Sequence, residues 1–437
     1  MKRYEAYKDS GVDWIGEIPE GWEVRRLASL GRFTASGIDK LSFPNESKVK
    51  IINYTDIYKN LNREINSDMS FMEVTTPELN RKKNLVKKGD LIFLPSSETF
   101  EDLGLSALIK EDLENVSFSY HVLRFQFDVL VNNSFKKYFT NNFKILNSFS
   151  SRGTGSIRKT LNRNDFRNTF VILPPFPVQT AIAEFLDDKT AKIDQTIGIR
   201  QKEIELLKER RQILIQQAVT KGLDATVPMK DSGVDWIGEI PEHWEVRRLK
   251  YVFKILKRIA GREGYNILSI TQKGIKVKNI SSGEGQIAAD YSNYQFCNKG
   301  EFAMNHMDLL TGWVDISQFN GVISPDYRVF ESILFESDNN YLLRLLQQCY
   351  INKAFYANGQ GVSMLGRWRF PTENFNNFSF PIPPVDEQSQ IVTYLEAIEE
   401  KIAKAITLKE QEIEKLKEYK TVLIDNVVTG KVKINYL

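Results

Sequence analysis

The residues whose types and spacing bear most directly on chemistry lie in Ser151–Arg167, SRGTGSIRKTLNRNDFR. Arg152, Arg158, Lys159, Arg163 and Arg167 stand there against Asp165 alone. Gly153 and Gly155 let backbone approach a phosphate closely, with Ser156 beside them. Arginine offers forked donors that fit a phosphate or a guanine edge. The combination points to nucleic acid; the bland alternative is a solvated charged face. Far down the chain Gly359–Arg369 repeats the mixture with Gly359, Gly361, Gly366, Arg367, Trp368 and Arg369. A second candidate set is short polar side chains at a strand end: Ser96-Ser97-Glu98-Thr99, and Asn305-His306-Met307-Asp308. Each follows a matching turn, Lys88-Gly89-Asp90 and Lys299-Gly300-Glu301. Such side chains read base edges well, and they are also ordinary turn formers.

Catalytic patterns do not appear. Leu173-Pro174-Pro175-Phe176 has the proline pair of an amino-methyltransferase motif, but Leu173 and its counterpart Ile382 cannot hold a target amino group. Gly153–Lys159 is not a phosphate-binding P-loop, and no nucleophile elbow occurs. His121, His243 and His306 are dispersed without metal-ligand spacing. Glu98, Glu101 and Asp102 lack the lysine that a magnesium-dependent nuclease pattern requires. No catalytic residue, metal or cofactor is expected on this chain.

The elements that must position these residues come in duplicate. Lys8–Leu27 reads KDSGVDWIGEIPEGWEVRRL, and Lys230–Leu249 differs from it only at Gly21 against His243. The offset is 222 residues. A later repeat, at an offset of 209, matches Leu173-Pro174-Pro175 with Ile382-Pro383-Pro384, and Gln179, Ile193 and Leu207 with Gln388, Ile402 and Leu416. The intervening stretches, Ala28–Ile172 and Lys250–Pro381, share little else. Four segments follow: 1–175 and 223–384, each a signature plus a variable domain, and 176–222 and 385–437, each a long helix. Short runs such as Lys50–Tyr54, Asp90–Leu94, Val122–Phe127 and Tyr327–Phe330 predict mixed, β-rich domains, with short helices over Asn133–Leu146 and Tyr341–Tyr350. The fold class is α+β.

Proline disfavours helix immediately before it, so each long helix begins after its proline pair. Ile193, Ile197, Arg200, Ile204, Leu207, Arg211, Leu214 and Ala218 alternate in steps of four and three, as do Ile402, Ile406, Lys409, Ile413, Leu416, Lys420, Leu423 and Val427. That spacing is a coiled-coil seam and predicts two antiparallel helices, a pseudo-twofold relation, and variable domains at opposite ends of a spacer. Ile199, Leu206, Ile213, Leu408 and Val422 widen the apolar face. They either pack under the chain's own domains or receive partner helices. Trp14, Trp22, Trp236 and Trp244 are either packing anchors or partner contacts.

The chain has 437 residues, 59 Lys and Arg against 56 Asp and Glu, and two cysteines. A net charge of +3 is low for a protein clamping DNA by charge alone, so basic groups are local or partners share the phosphate contacts. Two distant cysteines exclude a disulfide framework and fit a reducing cytoplasm; no apolar run suits a membrane span.

The twice-used DSGVDWIGEIPE-x-WE segment, with a proline pair feeding a long helix in each half, resembles the specificity subunits of type I restriction–modification systems over essentially the whole chain. The resemblance implies a non-catalytic DNA reader whose two target-recognition domains, Ala28–Ile172 and Lys250–Pro381, each read part of a bipartite, asymmetric target. It implies helical spacers docking two adenine methyltransferase subunits, with restriction subunits able to join. S-adenosylmethionine, ATP and magnesium would belong to those partners. The specificity part of a type IIB-like enzyme is the alternative.

Overall fold

In the computed structural model, which describes residues 2–279, 288–361 and 368–434, the chain forms two compact units. They cut across the four sequence segments. One comprises Met1–Gln201 with Glu410–Leu437, the other Lys202–Lys409. Each therefore owns one globular domain and a piece of both long helices, Phe176–Lys221 and Val385–Val428. The sequence boundaries followed linear order, whereas burial joins each domain to helix segments remote in the chain.

The signature segment closes each unit. In the first, Tyr7–Asp9 pairs with Glu17–Pro19, and Glu23–Arg26 pairs with Phe170–Leu173, placing Glu23 opposite Leu173. In the second, Met229–Asp231 pairs with Glu239–Pro241, and Glu245–Arg248 pairs with Ser379–Ile382, placing Glu245 opposite Ile382. The strand just before each proline pair is thus tied to the start of its own domain in one repeated register. Gln179 and Gln388, 2% and 1% exposed, then lock each helix start. The Gln179 amide donates to Pro174 O and its Oε1 accepts from Asn132 N; Gln388 does the same with Pro383 and Asp338.

The same segment seats a helix end. Trp22 and Trp244 are buried, which makes them packing anchors. Each helix stops at a glycine with φ of +76°, Gly430 or Gly222, the left-handed ending that glycine tolerates. A Cβ on Gly430 would lie 2.4 Å from Pro19 Cδ; on Gly222 the nearest atom is Glu387 Oε1 at 2.9 Å. Glu387 also explains the one difference between the signature copies. Its Oε2 lies 2.9 Å from His243 Nε2 and accepts from Trp244 Nε1 at 3.0 Å. The first unit has Gly21 and Val178 at these repeat positions.

The first domain has a five-stranded sheet in the order Gly31–Thr34, Leu123–Phe127, Leu91–Phe93, Ser106–Ile109, Glu64–Ile65, and a three-stranded one in the order Val116–Phe118, Ser47–Ile52, Met72–Thr76. The second has a four-stranded sheet, Phe253–Leu256, Arg328–Ser332, Phe302–Met304, Val314–Ile316. The predicted helices appear as Asn133–Thr140 followed by Phe143–Ser150, capped by Asn132 and Asn142, and as Asn339–Ile351. Gly89 and Gly300 take φ of +87° and +91°, so the two Lys-Gly turns are the same turn.

Within each unit the helix segments run antiparallel. In the first, Arg200 pairs with Glu412 at 2.8 Å and Lys420 with Asp194 at 2.6 Å; in the second, Lys409 pairs with Glu203 at 3.3 Å. Arg200, Lys409 and Lys420 are thus cross-helix ion-pair partners flanking an apolar seam in which Ile193, Ile204, Ile402, Ile413, Leu423 and Val427 are buried. Arg211 is the repeat equivalent of Lys420, but Ala403 stands where Asp194 would be. The Arg211 Nε has no hydrogen-bond partner among the described residues.

Two outcomes follow from this packing. Gly430→Ala is expected to destabilise the first unit by at least about 1–2 kcal/mol in urea unfolding, and more than Gly222→Ala destabilises the second, because a proline ring cannot yield as a glutamate side chain can. Equal losses would remove Pro19 from the explanation. In a double-mutant cycle, Ala403→Asp and Arg211→Ala should couple by about 0.3–1 kcal/mol, the cycle cancelling the poorer helix propensity of Asp. Zero coupling would show that Arg211 does not meet position 403.

Candidate nucleic-acid interface

The two candidate sets that lie far apart in the first half of the sequence meet at one place. Ser96 and Ser97 form a short strand that pairs with Lys159 and Thr160, Lys159 opposite Ser97 and Thr160 opposite Ser96. Thr154 and Thr160 exchange two backbone hydrogen bonds, closing a hairpin whose turn is Gly155–Lys159. The next residue, Leu161, donates to Pro95 O. The second domain builds the same device: Gln360 and Arg369 exchange two bonds, and Phe370 donates to His306 O. Backbone pairing therefore makes Arg369 the counterpart of Thr160, and His306 that of Pro95.

In the first domain the hairpin carries the basic groups on aromatic supports. The Arg158 guanidinium lies 5.4 Å from the Tyr54 ring centroid and donates from Nε to Ser96 Oγ at 3.1 Å. Lys159 Nζ sits 4.6 Å from the Phe100 ring and donates to Gly155 O and Ser156 O, which braces the turn. Gly155 has φ of +111°, and a Cβ there would lie 2.2 Å from Arg158 O. At Gly153 a Cβ would meet Leu103 at 2.4 Å. Both glycines are thus required by hairpin packing, before any approach to phosphate. Ser156 and Arg158 are exposed. Between them Ile157 is 92% exposed at the tip.

Of the other candidates, Arg152 and Ser97 are directed inward. Arg152 donates to Ser148 O, Ser148 Oγ and Asp165 O, and burial pulls its guanidinium pKa down. Ser97 is 1% exposed and its hydroxyl lies 3.3 Å from that of Tyr54. Thr99 is exposed but donates to Asp102. Arg163 is exposed on a short helix capped by Asn162, beside a cleft of about 430 Å³ that Arg152 also lines.

In the second domain Asn305 Oδ1 accepts from Met307 N, and Asn305 O accepts from the Tyr350 hydroxyl. Gly361 lies against Trp368, where a Cβ would be 2.7 Å from the indole, and Trp368 packs on Tyr356 with ring centroids 4.7 Å apart. His306, Gly361 and Arg369 line one cavity with Arg328. Burial, with Arg328 and Arg369 adding to it, holds the His306 pKa down to about 4. Arg367 lies outside the described residues.

Sequence reading missed Tyr54, Phe100, Ile157 and Arg328. Tyr54, Phe100 and Arg328 become site residues only through strand pairing and packing, which leave no linear pattern. Ile157 stands inside the basic segment, but apolar type alone gave it no signal. Among the described residues no group of His, Cys, Asp and Glu could hold a metal ion, and no helix is long and apolar enough to cross a membrane.

Known proteins resemble this chain over most of its length. A family model for the type I restriction modification DNA specificity domain matches residues 19–208 and again 241–418. The putative type I restriction enzyme MjaX specificity subunit of Methanocaldococcus jannaschii is 26% identical, with 96% of each chain covered. The MjaVIII specificity subunit of the same organism is 23% identical over 96% of this chain and 95% of that one. The crystal structure of the HsdS subunit from Thermoanaerobacter tengcongensis superposes with a TM-score of 0.52 at 17% identity, covering 95% of this chain and 98% of that one. A chain solved in work on complex assembly and conformational transition of the type I R-M system gives 0.66 at 17% identity, covering 95% and 99%. Twice-matched domain, duplicated signature and duplicated strand-end hairpin converge: the chain belongs to the type I restriction modification DNA specificity family, a DNA-recognition and not a catalytic component.

Proposed function

We propose that each variable domain reads one half of a bipartite, asymmetric DNA target, with its hairpin and adjoining strand end in the major groove. The observation that carries this reading is one device built twice from different side chains. The first domain offers Ser96, Ser156, Arg158, Lys159 and the exposed Ile157; the second offers His306, Trp368 and Arg369 at the same backbone positions or beside them. Arg158 suits guanine or phosphate, and Ile157 suits a thymine methyl group. The exposed Arg163, beside the cleft that Arg152 also lines, supports a phosphate contact that sets register without reading sequence. Different surfaces on one frame make the target asymmetric.

The paired helices act as the ruler, so the half-sites lie about one helical turn, roughly 10 base pairs, apart. Ile199, Leu206, Ile213, Leu408 and Val422, which the sequence left between two roles, are 47–59% exposed. That exposure supports them as the docking stripe for two copies of a methyltransferase subunit, which would supply S-adenosylmethionine chemistry. Restriction subunits, with ATP and magnesium, would join through that complex. The work of such a complex is in the cytoplasm.

Co-expression with the cognate methyltransferase subunit, followed by single-molecule methylation sequencing, is expected to give a split adenine-methylated motif that vanishes without this chain. Replacing residues 250–381 with a relative's domain should change one half of the motif and leave the other intact; both halves changing would defeat independent reading. Arg158→Ala should weaken duplex binding and lower the salt slope by about 1, because one phosphate or base contact is lost. An unchanged slope and affinity would remove Arg158 from the interface.

A further inference from the structure

The second domain holds a cationic cavity. Its volume is about 740 Å³, and its walls include His306, Arg328, Gln360, Gly361 and Arg369. No acidic side chain is among the described residues that line it. Arg328 is 4% exposed and stands on a central strand opposite Met304. One guanidinium nitrogen donates to Phe370 O at 2.9 Å, and the group lies 4.6 Å from the Phe375 ring centroid. Neither the other terminal nitrogen, Nη1, nor His306 Nδ1 has a hydrogen-bond partner among the described residues.

These groups are not needed to build the frame. In the first domain the strand position of Arg328 is held by Leu123, opposite Phe93. The position of His306 is held by Pro95 and that of Arg369 by Thr160. The same architecture therefore folds with three uncharged residues where the second domain has two arginines and a histidine. A buried guanidinium without a carboxylate is costly, and burial pushes the Arg328 pKa down to about 10. An uncompensated cation at the base of the proposed reading hairpin calls for an anion from outside the chain.

We propose that this cavity receives a backbone phosphate of the half-site read by the second domain, with Arg328 as its fixed cation and Arg369 at its mouth. The proposal rests on the DNA-reading function and adds a residue and a ligand group to it. A neutral base edge would leave the buried charge unbalanced, whereas a phosphate balances it and matches the forked donors of arginine. The two half-sites would then be held differently: by exposed basic groups on the first hairpin, and by a charge set back behind the second.

The test uses the full chain and a 40-base-pair duplex of mixed sequence, with affinity measured against salt and folding followed by thermal denaturation. Arg328→Leu, which installs the first domain's side-chain type, is expected to lower the salt slope by about 1. Arg328→Lys, which keeps the charge but loses the bond to Phe370 O, should retain the slope; a role confined to pinning the hairpin would make both variants alike. Arg369→Gln at the exposed mouth should also lower the slope, and it stands in if Arg328→Leu does not fold. Unchanged slopes in Arg328→Leu and Arg369→Gln, with wild-type binding intact, overturn the cavity assignment alone. A wild-type chain that does not bind the duplex overturns both it and the DNA-reading function. If inorganic phosphate shifts the His306 ring signals while the duplex slopes stay unchanged, the cavity takes a free anion and the DNA assignment fails.

Discussion

Everything in this fold depends on the antiparallel pairing of two helix segments that belong to opposite halves of the sequence. Arg200 meets Glu412 and Asp194 meets Lys420 in one unit, while Glu203 meets Lys409 in the other. Each pair is individually modest, because the side chains are partly exposed and water screens them. Their value is registry: a long apolar seam slides easily in steps of a heptad, and charges placed at seam positions penalise the slipped alternatives. The apolar residues between them supply the bulk of the burial.

Registry matters because each helix end is also a seat. Gly430 fits onto Pro19 and Trp22, and Gly222 onto Pro241 and Trp244. Meanwhile Gln179 and Gln388 fasten each helix start to a loop of the adjoining domain. A helix shifted by one heptad would leave a glutamine and a left-handed glycine without partners. The signature segment repeats so faithfully because it has three tasks at once: a hairpin, a strand closing the domain, and a socket for a helix terminus. Its single difference, Gly21 against His243, follows the change of neighbour from Val178 to Glu387.

A frame this constrained leaves the variable domains free. Only the strand that precedes the proline pair and the signature strand it pairs with must keep their register; what lies between can be rebuilt. The two domains keep a hairpin against a strand end and fill it differently, with Arg158 on Tyr54 in one and a buried Arg328 in the other. The residues that hold the frame are thereby separate from those that fill the hairpins. That separation is the physical condition for changing one without losing the other.

The duplicated frame, the helices and their seam were legible in the sequence, because repeats and heptad spacing are properties of linear order and backbone geometry. So was the basic segment Ser151–Arg167, whose glycines and arginines are contiguous, though not the hairpin it forms. The division into units was not legible, since burial joins residues 1–201 to 410–437 across the whole chain. Nor was the fate of individual polar groups. Ser97 is turned inward, Asn305 is bound into its own turn, Arg152 is spent on helix ends, and Trp22 and Trp244 anchor the core. Tyr54, Phe100 and Arg328 join the site only because strand pairing brings them there. Local order and periodicity fix which elements form; which side chain faces solvent, a neighbour or a cavity depends on distant partners, and those exist only once the chain has packed.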